Sequence, residues 1–365
     1  MKVGILGGGQ LAQMLIQAGR ELGVKFEVFT SEQGCPAGQL AEVTVGSFND
    51  QAQMVAFFKR NHFITYENEN LSVELLQSIS ENSSSLFPSA NILEVISARF
   101  SQKQFFHHLG IPTAPVFFVE NSSDVPSALE KVGVPGIFKT NRLGYDGKGQ
   151  KQITCLAEGV TVWNDLGSVP LVYEQWIPFE RELSLVACRD RFGKMVFYPL
   201  VENIHKKGIL ELTWAPAENV SPDLQRLAES YAVSVCQKIN YVGVLALELF
   251  QWGTQLLINE MASRVHNTGH WSIEGAQTSQ FENHLRAGLG LSLGDPQPCG
   301  YSAMLNLIGT IPAQIEQLKK EIGVFVHLYG KNPQPGRKLG HITVVSENTH
   351  SLKDKLNRVR GICGI

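Results

Sequence analysis

The chain lacks the features that mark membrane proteins and nucleic-acid-binding proteins. None of its apolar runs reaches the roughly 18–20 residues that a membrane helix needs, although 43% of its 365 residues are apolar. Charged residues make up only 18% and the formal net charge is −3, which indicates no electrostatic attraction to nucleic acid or to an anionic membrane. The apolar segment Val3–Leu6 is broken at once by three glycines, which is not typical of a secretory signal. We therefore expect a cytoplasmic protein that binds neither nucleic acid nor membrane.

Cysteine is also scarce, and no two cysteines are spaced as a C-x-x-C pair. No cluster of histidine and cysteine has the spacing of zinc ligands, which argues against a structural zinc site. Scattered cysteines are typical of reduced thiols in a cytosolic protein. The six residues are Cys35, Cys155, Cys188, Cys236, Cys299 and Cys363.

The first 95 residues alternate between strand and helix patterns, in a chain long enough for two or three domains. Strands are predicted at Lys2–Gly7, Phe26–Thr30 and Phe63–Tyr66, and helices at Gln10–Gly23 and Gln51–Asn61. This alternation predicts a parallel sheet with helices on its faces, and thus an α/β fold.

Two further groups of strands follow. A small unit over about 113–173 has short strands at Ile137–Thr140, Gln150–Thr154 and Leu171–Glu174. Longer strands begin after Glu182 and are interrupted by a helix at Pro222–Ile239. These strands are predicted at Leu183–Cys188, Met195–Leu200, Gly243–Phe250, Gln255–Asn259, Met304–Ile308 and His341–Val345.

A glycine-rich loop, a lysine and two glutamates form a candidate nucleoside triphosphate site. The loop Gly144–Gln150 begins five residues after Lys139, and Glu248 and Glu260 follow much later. Backbone N–H groups of such a loop can surround phosphate oxygens while the lysine adds positive charge. The loop alone also fits a surface hairpin, because Asp-Gly is a strong turn signal. Carboxylates among apolar strand residues are costly to bury unless they are paired or bind a metal, so we favour an Mg²⁺ site, which needs only one or two carboxylates plus substrate phosphates.

The first strand is followed by Gly7-Gly8-Gly9-Gln10-Leu11-Ala12, which fits the G-x-G-x-x-G/A pattern of dinucleotide-binding loops. NAD binding further requires an acidic residue at the end of the second strand, but that strand ends in Phe29-Thr30-Ser31. We favour a phosphate of another ligand at this helix N-terminus. A tight turn that only packs remains the alternative.

Two other segments are candidate contacts. Tyr173–Ile177 ends a strand and enters a linker whose backbone can bind an adenine edge. Glu182, a little further along, can accept hydrogen bonds from ribose hydroxyls. Glu174 and Glu182 also fit solvated surface positions. Arg264, His266, Asn267 and His270 form a dense polar group directly after a core strand. An arginine there can hold a transferring phosphoryl group or an anionic acceptor, whereas a single histidine is more often structural.

Taken in order, these motifs resemble the nucleotide and metal pattern of the ATP-grasp superfamily. Within it, four strings are similar to the N5-carboxyaminoimidazole ribonucleotide synthetase family, over Met1 to about Val345. They are Gly-Gly-Gly-Gln-Leu, Gly-Tyr-Asp-Gly-Lys-Gly-Gln, Arg-Val-His-Asn-Thr-Gly-His-Trp and Pro-Gly-Arg-Lys-Leu-Gly-His. The last twenty residues match poorly, and we assign them no function.

The resemblance implies an ATP-dependent ligase of purine biosynthesis. ATP would phosphorylate bicarbonate to carboxyphosphate, and the amine of 5-aminoimidazole ribonucleotide would take the carboxylate, with Mg²⁺ as the metal. It also implies a homodimer. Two alternatives are a formate-activating glycinamide ribonucleotide transformylase of the same superfamily and a nucleotide-binding protein without catalysis.

The resemblance also implies roles for individual residues. Residues implied to line ATP are Arg99, Lys139, Gly144, Tyr145, Asp146, Gly147, Lys148, Gly149, Gln150, Glu174, Gln175, Trp176, Ile177, Glu182, His205, Asn259 and Glu260. Those implied for catalysis on bicarbonate and the acceptor are Tyr145, Asp146, Arg264, His266 and Lys338. Those implied to bind the acceptor nucleotide, including its 5′-phosphate, are Gly8, Gly9, Gln10, Glu69, Lys331, Arg337 and Lys338. Glu248 and Glu260 are the implied metal ligands.

The resemblance further implies how the chain is divided. We expect an N-terminal Rossmann-like domain over 1–95, a small lid subdomain with connecting helices over 96–175, a large subdomain over 176–290, and a phosphate-binding segment over 291–365. Two departures from the family pattern stand out, Ala12 where glycine is frequent and Ala98 where aspartate is frequent. The first weakens the phosphate role of the N-terminal loop, and the second removes a group that would hold Arg99.

Overall fold

The computed structural model describes residues 1–80, 86–144 and 147–364. Its N-terminal part is a parallel sheet with strand order β3-β2-β1-β4, as the alternating pattern predicted. Strand β3 was not predicted, because its four residues are largely exposed and carry no apolar run. The elements are β1 (Lys2–Leu6), α1 (Gln10–Gly19), β2 (Lys25–Thr30), β3 (Glu42–Val45), α2 (Gln51–Arg60), β4 (Phe63–Tyr66), α3 (Val73–Ser80) and α4 (Ala90–Ile96).

The second sheet is antiparallel with strand order β5-β8-β6-β7. It encloses a small core of its own around Phe138 and Tyr173, whose rings stack at 4.3 Å. The glycine-rich loop joins β6 to β7, so Lys139 lies opposite Gln150. The elements are α5 (Arg99–His108), β5 (Val116–Val119), α6 (Val125–Val132), β6 (Gly136–Thr140), β7 (Gln150–Ile153), α7 (Gly159–Asp165) and β8 (Leu171–Gln175).

The third sheet contains the remaining strands, in the order β14-β13-β9-β11-β12-β15-β17-β16, with β10 on β9. The elements from Arg181 to Leu289 are β9 (Arg181–Arg189), β10 (Met195–Phe197), β11 (Val201–Lys206), β12 (Ile209–Ala215), α8 (Pro222–Lys238), β13 (Gly243–Trp252), β14 (Gln255–Ala262), α9 (Ser272–Gly275) and α10 (Gln280–Leu289). The C-terminal elements are β15 (Tyr301–Ile308), α11 (Ile315–Leu318), β16 (Val324–Leu328), β17 (Lys338–Ser346) and α12 (Thr349–Cys363).

The predicted strand Met195–Leu200 was too long, and the hairpin β11–β12 was missed. Lys207 and Gly208 join these two strands with φ of +53° and +76°, which is the backbone that a two-residue hairpin turn requires. Strand β15 pairs with β12, so the C-terminal segment extends the same sheet. The four domain boundaries stay a prediction. No described helix is long and apolar enough to cross a bilayer.

Two large apolar clusters pack on opposite sides of the third sheet. One joins α8 to strands β9, β13 and β14, and the other joins α1 and α10 to the same strands from the other side. Helix α1 packs on α10, and the buried His284 of α10 bonds Thr65 of β4 at 2.7 Å. These contacts hold the carboxyl end of the N-terminal sheet against the third sheet, and a large cavity opens there.

Candidate active site

A cavity of about 1130 Å³ lies where the three sheets meet. It brings together most of the predicted site residues from all parts of the chain. They are Gln10, Glu69, Arg99, Lys139, Gly144, Gly147, Lys148, Gln150, Glu174, Gln175, Trp176, Ile177, Glu182, His205, Glu248, Asn259, Glu260, Arg264, His266, Lys331, Arg337 and Lys338. Gly8, Gly9 and Gly149 are not among the residues that line it, and Tyr145 and Asp146 lie outside the described residues.

Lys139 of β6 and Glu174 of β8 form a buried ion pair at 3.0 Å. Lys103 of α5 approaches the same carboxylate oxygen at 3.3 Å, and its side chain is only 3% exposed. Burial opposes ionisation of Glu174, but the ammonium groups of Lys103 and Lys139 outweigh it and lower the pKa of Glu174 to about 2. The Glu174 side chain therefore holds two lysines. Contact with an adenine edge stays a prediction for Gln175, Trp176 and Ile177.

Lys103 was missed by the sequence analysis. It lies four residues after Arg99 on α5, and residues with this spacing share one face of a helix. Arg99 itself donates to Glu260 at 2.7 Å and to the carbonyl of Gly144 at 2.9 Å. These two bonds hold Arg99 although Ala98 offers no side-chain acceptor.

Glu248 and Glu260 face each other across strands β13 and β14. The register shifts directly after Glu248, so that Glu248 pairs with Glu260 and Leu249 pairs with Ile258. Asn259 is thus the extra residue of a β-bulge. Neighbouring strand residues normally point to opposite faces, but this bulge lets Asn259 and Glu260 both line the cavity.

The donor set of this carboxylate pair suits Mg²⁺. Desolvation, then the negative charge of Glu260, raises the pKa of Glu248 well above its usual range, so a cation between the two carboxylates would favour their ionised forms. Among the described residues, no group of three or more His, Cys, Asp or Glu side chains is arranged to hold a metal. Mg²⁺ does not require such a group, because one or two carboxylates plus substrate phosphates suffice.

Arg264 and His266 occupy the loop after β14. Arg264 pairs with Glu69 at 3.3 Å, and Glu69 also accepts the N–H of Ser263 at 2.9 Å. Glu69, predicted to bind the acceptor nucleotide, therefore orients Arg264. His266 lies 3.3 Å from Glu248, and burial, then the charges of Arg264 and Lys338, lower the pKa of its ring well below the ordinary value.

Glu182 and His205 form another pair inside the cavity, on the neighbouring strands β9 and β11. His205 Nδ1 lies 3.0 Å from the Glu182 carboxylate. Burial opposes protonation of His205, but this carboxylate outweighs it and raises the pKa of the ring. That Glu182 and His205 contact ATP stays a prediction.

The C-terminal basic residues Lys331, Arg337 and Lys338 line the same cavity. The Lys331 ammonium donates to the side-chain oxygen of Gln10. Arg337 is exposed and donates to the carbonyl of Asn332 at 3.3 Å. Lys338 is the first residue of β17. Lys331 thus brings a positive charge to the first residue of α1.

The N-terminal glycine loop and helix α1 bond a carboxylate of the same chain. The carboxylate of Glu67 accepts the N–H groups of Gly9 at 2.5 Å and of Ala12 at 3.1 Å. It therefore occupies the helix N-terminus that was predicted to hold a phosphate. Of the three predicted loop residues only Gln10 is among those that line the cavity, and a phosphate contact from Gly8 and Gly9 stays a prediction. Glu67 directly follows β4, so the parallel neighbour of β1 supplies this carboxylate.

The described part of the second glycine loop packs against the β11–β12 turn. A Cβ added to Gly147 would lie 2.8 Å from the carbonyl of Lys207, and one added to Gly208 would lie 2.6 Å from the Cα of Gly147. Both glycines have φ of +76°. The loop of the small sheet thus touches the third sheet across the cavity, with backbone contacts too close for any larger side chain.

Comparison with known proteins identifies the family. Three family models match successive parts of the chain: a ribonucleotide synthetase preATP-grasp domain over residues 1–97, an ATP-grasp domain over 104–281, and a phosphoribosylaminoimidazole carboxylase C-terminal domain over 302–355. The N5-carboxyaminoimidazole ribonucleotide synthase of Pseudomonas aeruginosa is 40% identical over 362 residues, which cover 99% of both chains. The chain belongs to the N5-carboxyaminoimidazole ribonucleotide synthase family. It is an enzyme, a ligase with the ATP-grasp fold.

Solved structures of synthases in this family agree with the fold. The N5-carboxyaminoimidazole ribonucleotide synthetase of Thermus thermophilus superposes with a TM-score of 0.94 at 45% identity, covering 100% of this chain and 99% of that one. The Aspergillus clavatus synthase in complex with ADP and 5-aminoimidazole ribonucleotide superposes with a TM-score of 0.92 at 28% identity, covering 100% and 98%. The predicted ATP-grasp fold is confirmed.

Proposed function

We propose that this chain carboxylates 5-aminoimidazole ribonucleotide with bicarbonate and ATP, giving N5-carboxyaminoimidazole ribonucleotide, ADP and phosphate. One observation carries the proposal. A single cavity is lined both by the paired carboxylates with Lys139 and Arg99 and by the cationic side chains of Arg264, Arg337 and Lys338. The first group suits a metal-bound triphosphate, and the second group suits an anionic acceptor.

The chemistry has two steps. A bicarbonate oxygen attacks the γ-phosphorus of ATP, ADP leaves, and carboxyphosphate forms. The amine of the acceptor then attacks the carboxyl carbon, phosphate leaves with the bonding electron pair, and the amine gives up a proton. Phosphoryl transfer requires mainly positioning and charge neutralisation, and carboxyphosphate must be kept from water.

The residues of the cavity have separate tasks in this scheme. Lys139 and Arg99 would neutralise the triphosphate, and Glu248 and Glu260 would hold Mg²⁺, which supplies further neutralisation of phosphate charge when bound. Arg264, oriented by Glu69, would bind the anionic intermediate. The contact of Gly147 with the β11–β12 turn would exclude water from the cavity.

The C-terminal basic residues of the cavity would hold the ribose phosphate. Arg337, Lys338 and Lys331 supply positive charge there, and a guanidinium can bind a phosphate through two parallel hydrogen bonds. Tyr145 and Asp146, which lie outside the described residues, remain predicted to face the acceptor nucleotide and bicarbonate. The homodimer and the cytoplasmic location also remain predictions, the first tested by light scattering on the full chain.

The decisive experiment measures ADP release with different acceptors. Purified protein with Mg²⁺ and ATP is given 5-aminoimidazole ribonucleotide with and without ¹³C-bicarbonate, and in parallel glycinamide ribonucleotide with formate. We expect ADP release and a ¹³C-labelled carbamate only in the first mixture with bicarbonate. Preferential ADP release with formate and glycinamide ribonucleotide would support the alternative enzyme, and no ADP release with either acceptor would support a non-catalytic nucleotide-binding protein.

A further inference from the structure

Gln280, the first residue of α10, is completely buried and bonds the backbone of His266 twice. Its side-chain oxygen accepts the His266 N–H at 3.0 Å, and its side-chain nitrogen donates to the His266 carbonyl at 2.6 Å. A backbone N–H can only donate and a carbonyl can only accept. The orientation of the Gln280 amide is therefore fixed by His266.

The same amide nitrogen lies 3.3 Å from Nδ1 of His270. Because the NH₂ group of glutamine only donates, Nδ1 of His270 has to accept. A proton on Nδ1 would place two donors face to face. The ring of His270 is therefore neutral and carries its single proton on Nε2.

The surroundings of His270 also disfavour a charged ring. The residue is 1% exposed, and burial, followed by nearby positive groups, lowers the pKa of His270 well below its ordinary value. The titratable and charged groups that face it are Arg264 and His266 of its own loop, His327 of β16, and Lys338 and His341 of β17. Each of these named groups is basic, so none of them favours a charged His270 ring.

His270 is among the residues that line the cavity, whereas Gln280 is not. We propose that Gln280 is a positioning residue that fixes His270 as a neutral imidazole with its N–H on Nε2, a hydrogen-bond donor for an anionic oxygen of the substrates. This inference rests on the proposed function for the identity of those substrates. Such a donor stays in one protonation state across the working pH range and costs no rearrangement during the reaction.

The tautomer is measured directly by NMR of the full chain labelled with ¹⁵N-histidine. Long-range ¹H–¹⁵N correlations distinguish the protonated ring nitrogen from the bare one, and His270→Gln identifies the His270 signals by their loss. We expect a protonated Nε2 and a bare Nδ1 that do not change between about pH 5 and 8. A proton on Nδ1, or titration of His270 in this range, would overturn the proposal whether or not the protein turns over the expected substrates.

Gln280→Glu tests the positioning role. Glutamate keeps an acceptor for the His266 N–H but offers a carboxylate oxygen to Nδ1 of His270, and the ring should gain a second proton there. We expect kcat/KM for 5-aminoimidazole ribonucleotide to fall by about tenfold to a hundredfold, with little change in the KM for ATP. The acid limb of the pH profile, which is the fall in kcat/KM towards low pH, should move to higher pH. The NMR signals of His270 should show a protonated Nδ1.

Gln102→Glu is the matched control. Gln102 makes the same pair of bonds, to the N–H of Met261 at 2.8 Å and to its carbonyl at 3.3 Å, but no histidine nitrogen is among its hydrogen-bond partners. It should leave the His270 tautomer and the acid limb unchanged, whatever its effect on rate. Equal shifts of the acid limb in both variants, or an unchanged His270 tautomer in Gln280→Glu, would overturn the positioning role.

Discussion

The contacts of Glu27 predict a contribution to folding stability that depends on pH. It lies in β2 of the parallel sheet and is 3% exposed. Its carboxylate contacts Lys2 at 2.9 Å and Arg60 at 2.7 Å, and it accepts from Thr44 at 2.7 Å and Asn61 at 3.2 Å. Burial opposes ionisation, but these four donors outweigh it and lower the pKa of Glu27 from 4.5 to about 2.

The size and sign of the effect follow from linkage. Lowering the pKa of a carboxyl from 4.5 to about 2 corresponds to about 3 kcal/mol of folding free energy, at about 1.4 kcal/mol per pKa unit. The side chains of Lys2 and Arg60 are 24% and 45% exposed, and solvent screening at these partners reduces the expected value to about 2 kcal/mol. This stabilisation is fully present above the unfolded pKa and is lost as pH falls through the folded pKa.

Glu27→Gln keeps the shape and removes the charge. We expect it to lower the free energy of unfolding by about 2 kcal/mol at neutral pH. The difference from the parent chain should shrink as pH falls from about 4.5 towards 2, because protonated Glu27 is then nearly equivalent to glutamine. Urea unfolding at about pH 7, 5 and 3, followed by circular dichroism, measures this difference.

Glu42→Gln is the control, because Glu42 also pairs with Lys2, at 2.8 Å, but its side chain is 74% exposed. An exposed pair of this kind contributes about 0–1 kcal/mol. The reasoning is refuted if Glu27→Gln destabilises the protein equally at all three pH values, or if Glu42→Gln has an effect of the same size.

Three further predictions concern the active site. Glu260→Gln should abolish Mg²⁺-dependent ADP release while thermal unfolding stays within a few degrees, since one metal ligand is lost and the shape is kept; full activity in Mg²⁺ would contradict the assignment. Arg337→Ala should raise the KM for 5-aminoimidazole ribonucleotide about tenfold or more, because a charge-assisted contact is lost, and the KM for ATP should not change. A raised KM for ATP with an unchanged KM for 5-aminoimidazole ribonucleotide would show that Arg337 binds ATP instead. Gly208→Ala should push the loop at Gly147 away and lower the amount of carboxylated product formed per ADP. Gly253→Ala is the control, because Gly253 has φ of +60° and nothing lies within 4 Å of the added Cβ. An equal amount of product per ADP in both variants would show that the contact between Gly147 and Gly208 excludes no water.

The residues of the cavity around Lys139, Glu248 and Glu260 could be predicted because their signals are local. Lys139 and Gln150 pair on the neighbouring strands β6 and β7, and Glu248 and Glu260 interrupt apolar strands. In each case a few consecutive residues carry a polar group where the strand pattern demands an apolar one. A residue that breaks such a pattern has to be compensated by a ligand or a partner. The parallel N-terminal sheet followed in the same way from the alternation of strand and helix periods.

The neighbours of those residues could not be predicted from local patterns. Glu67 at the N-terminus of α1, Lys103 beside Glu174, and Gln280 beneath His270 have ordinary sequence surroundings. Glu67 was overlooked because its target, the N–H of Gly9, lies 58 residues earlier in the chain. The phosphate contact of the N-terminal loop stays a prediction, and the carboxylate of Glu67 at the same helix N-terminus was not foreseen.

The sequence by itself determined the fold class, the order of the nucleotide-binding motifs and the family, because strand and helix periods and short motifs depend only on neighbouring residues. The tertiary structure decided which side chains share a hydrogen bond. The bulge that turns both Asn259 and Glu260 into the cavity depends on the register of β13 against β14. The state of His270 depends on one amide that α10 delivers from ten residues away. Register and helix packing are set by the whole core at once, since a slip of one residue would turn every side chain of a strand to the other face.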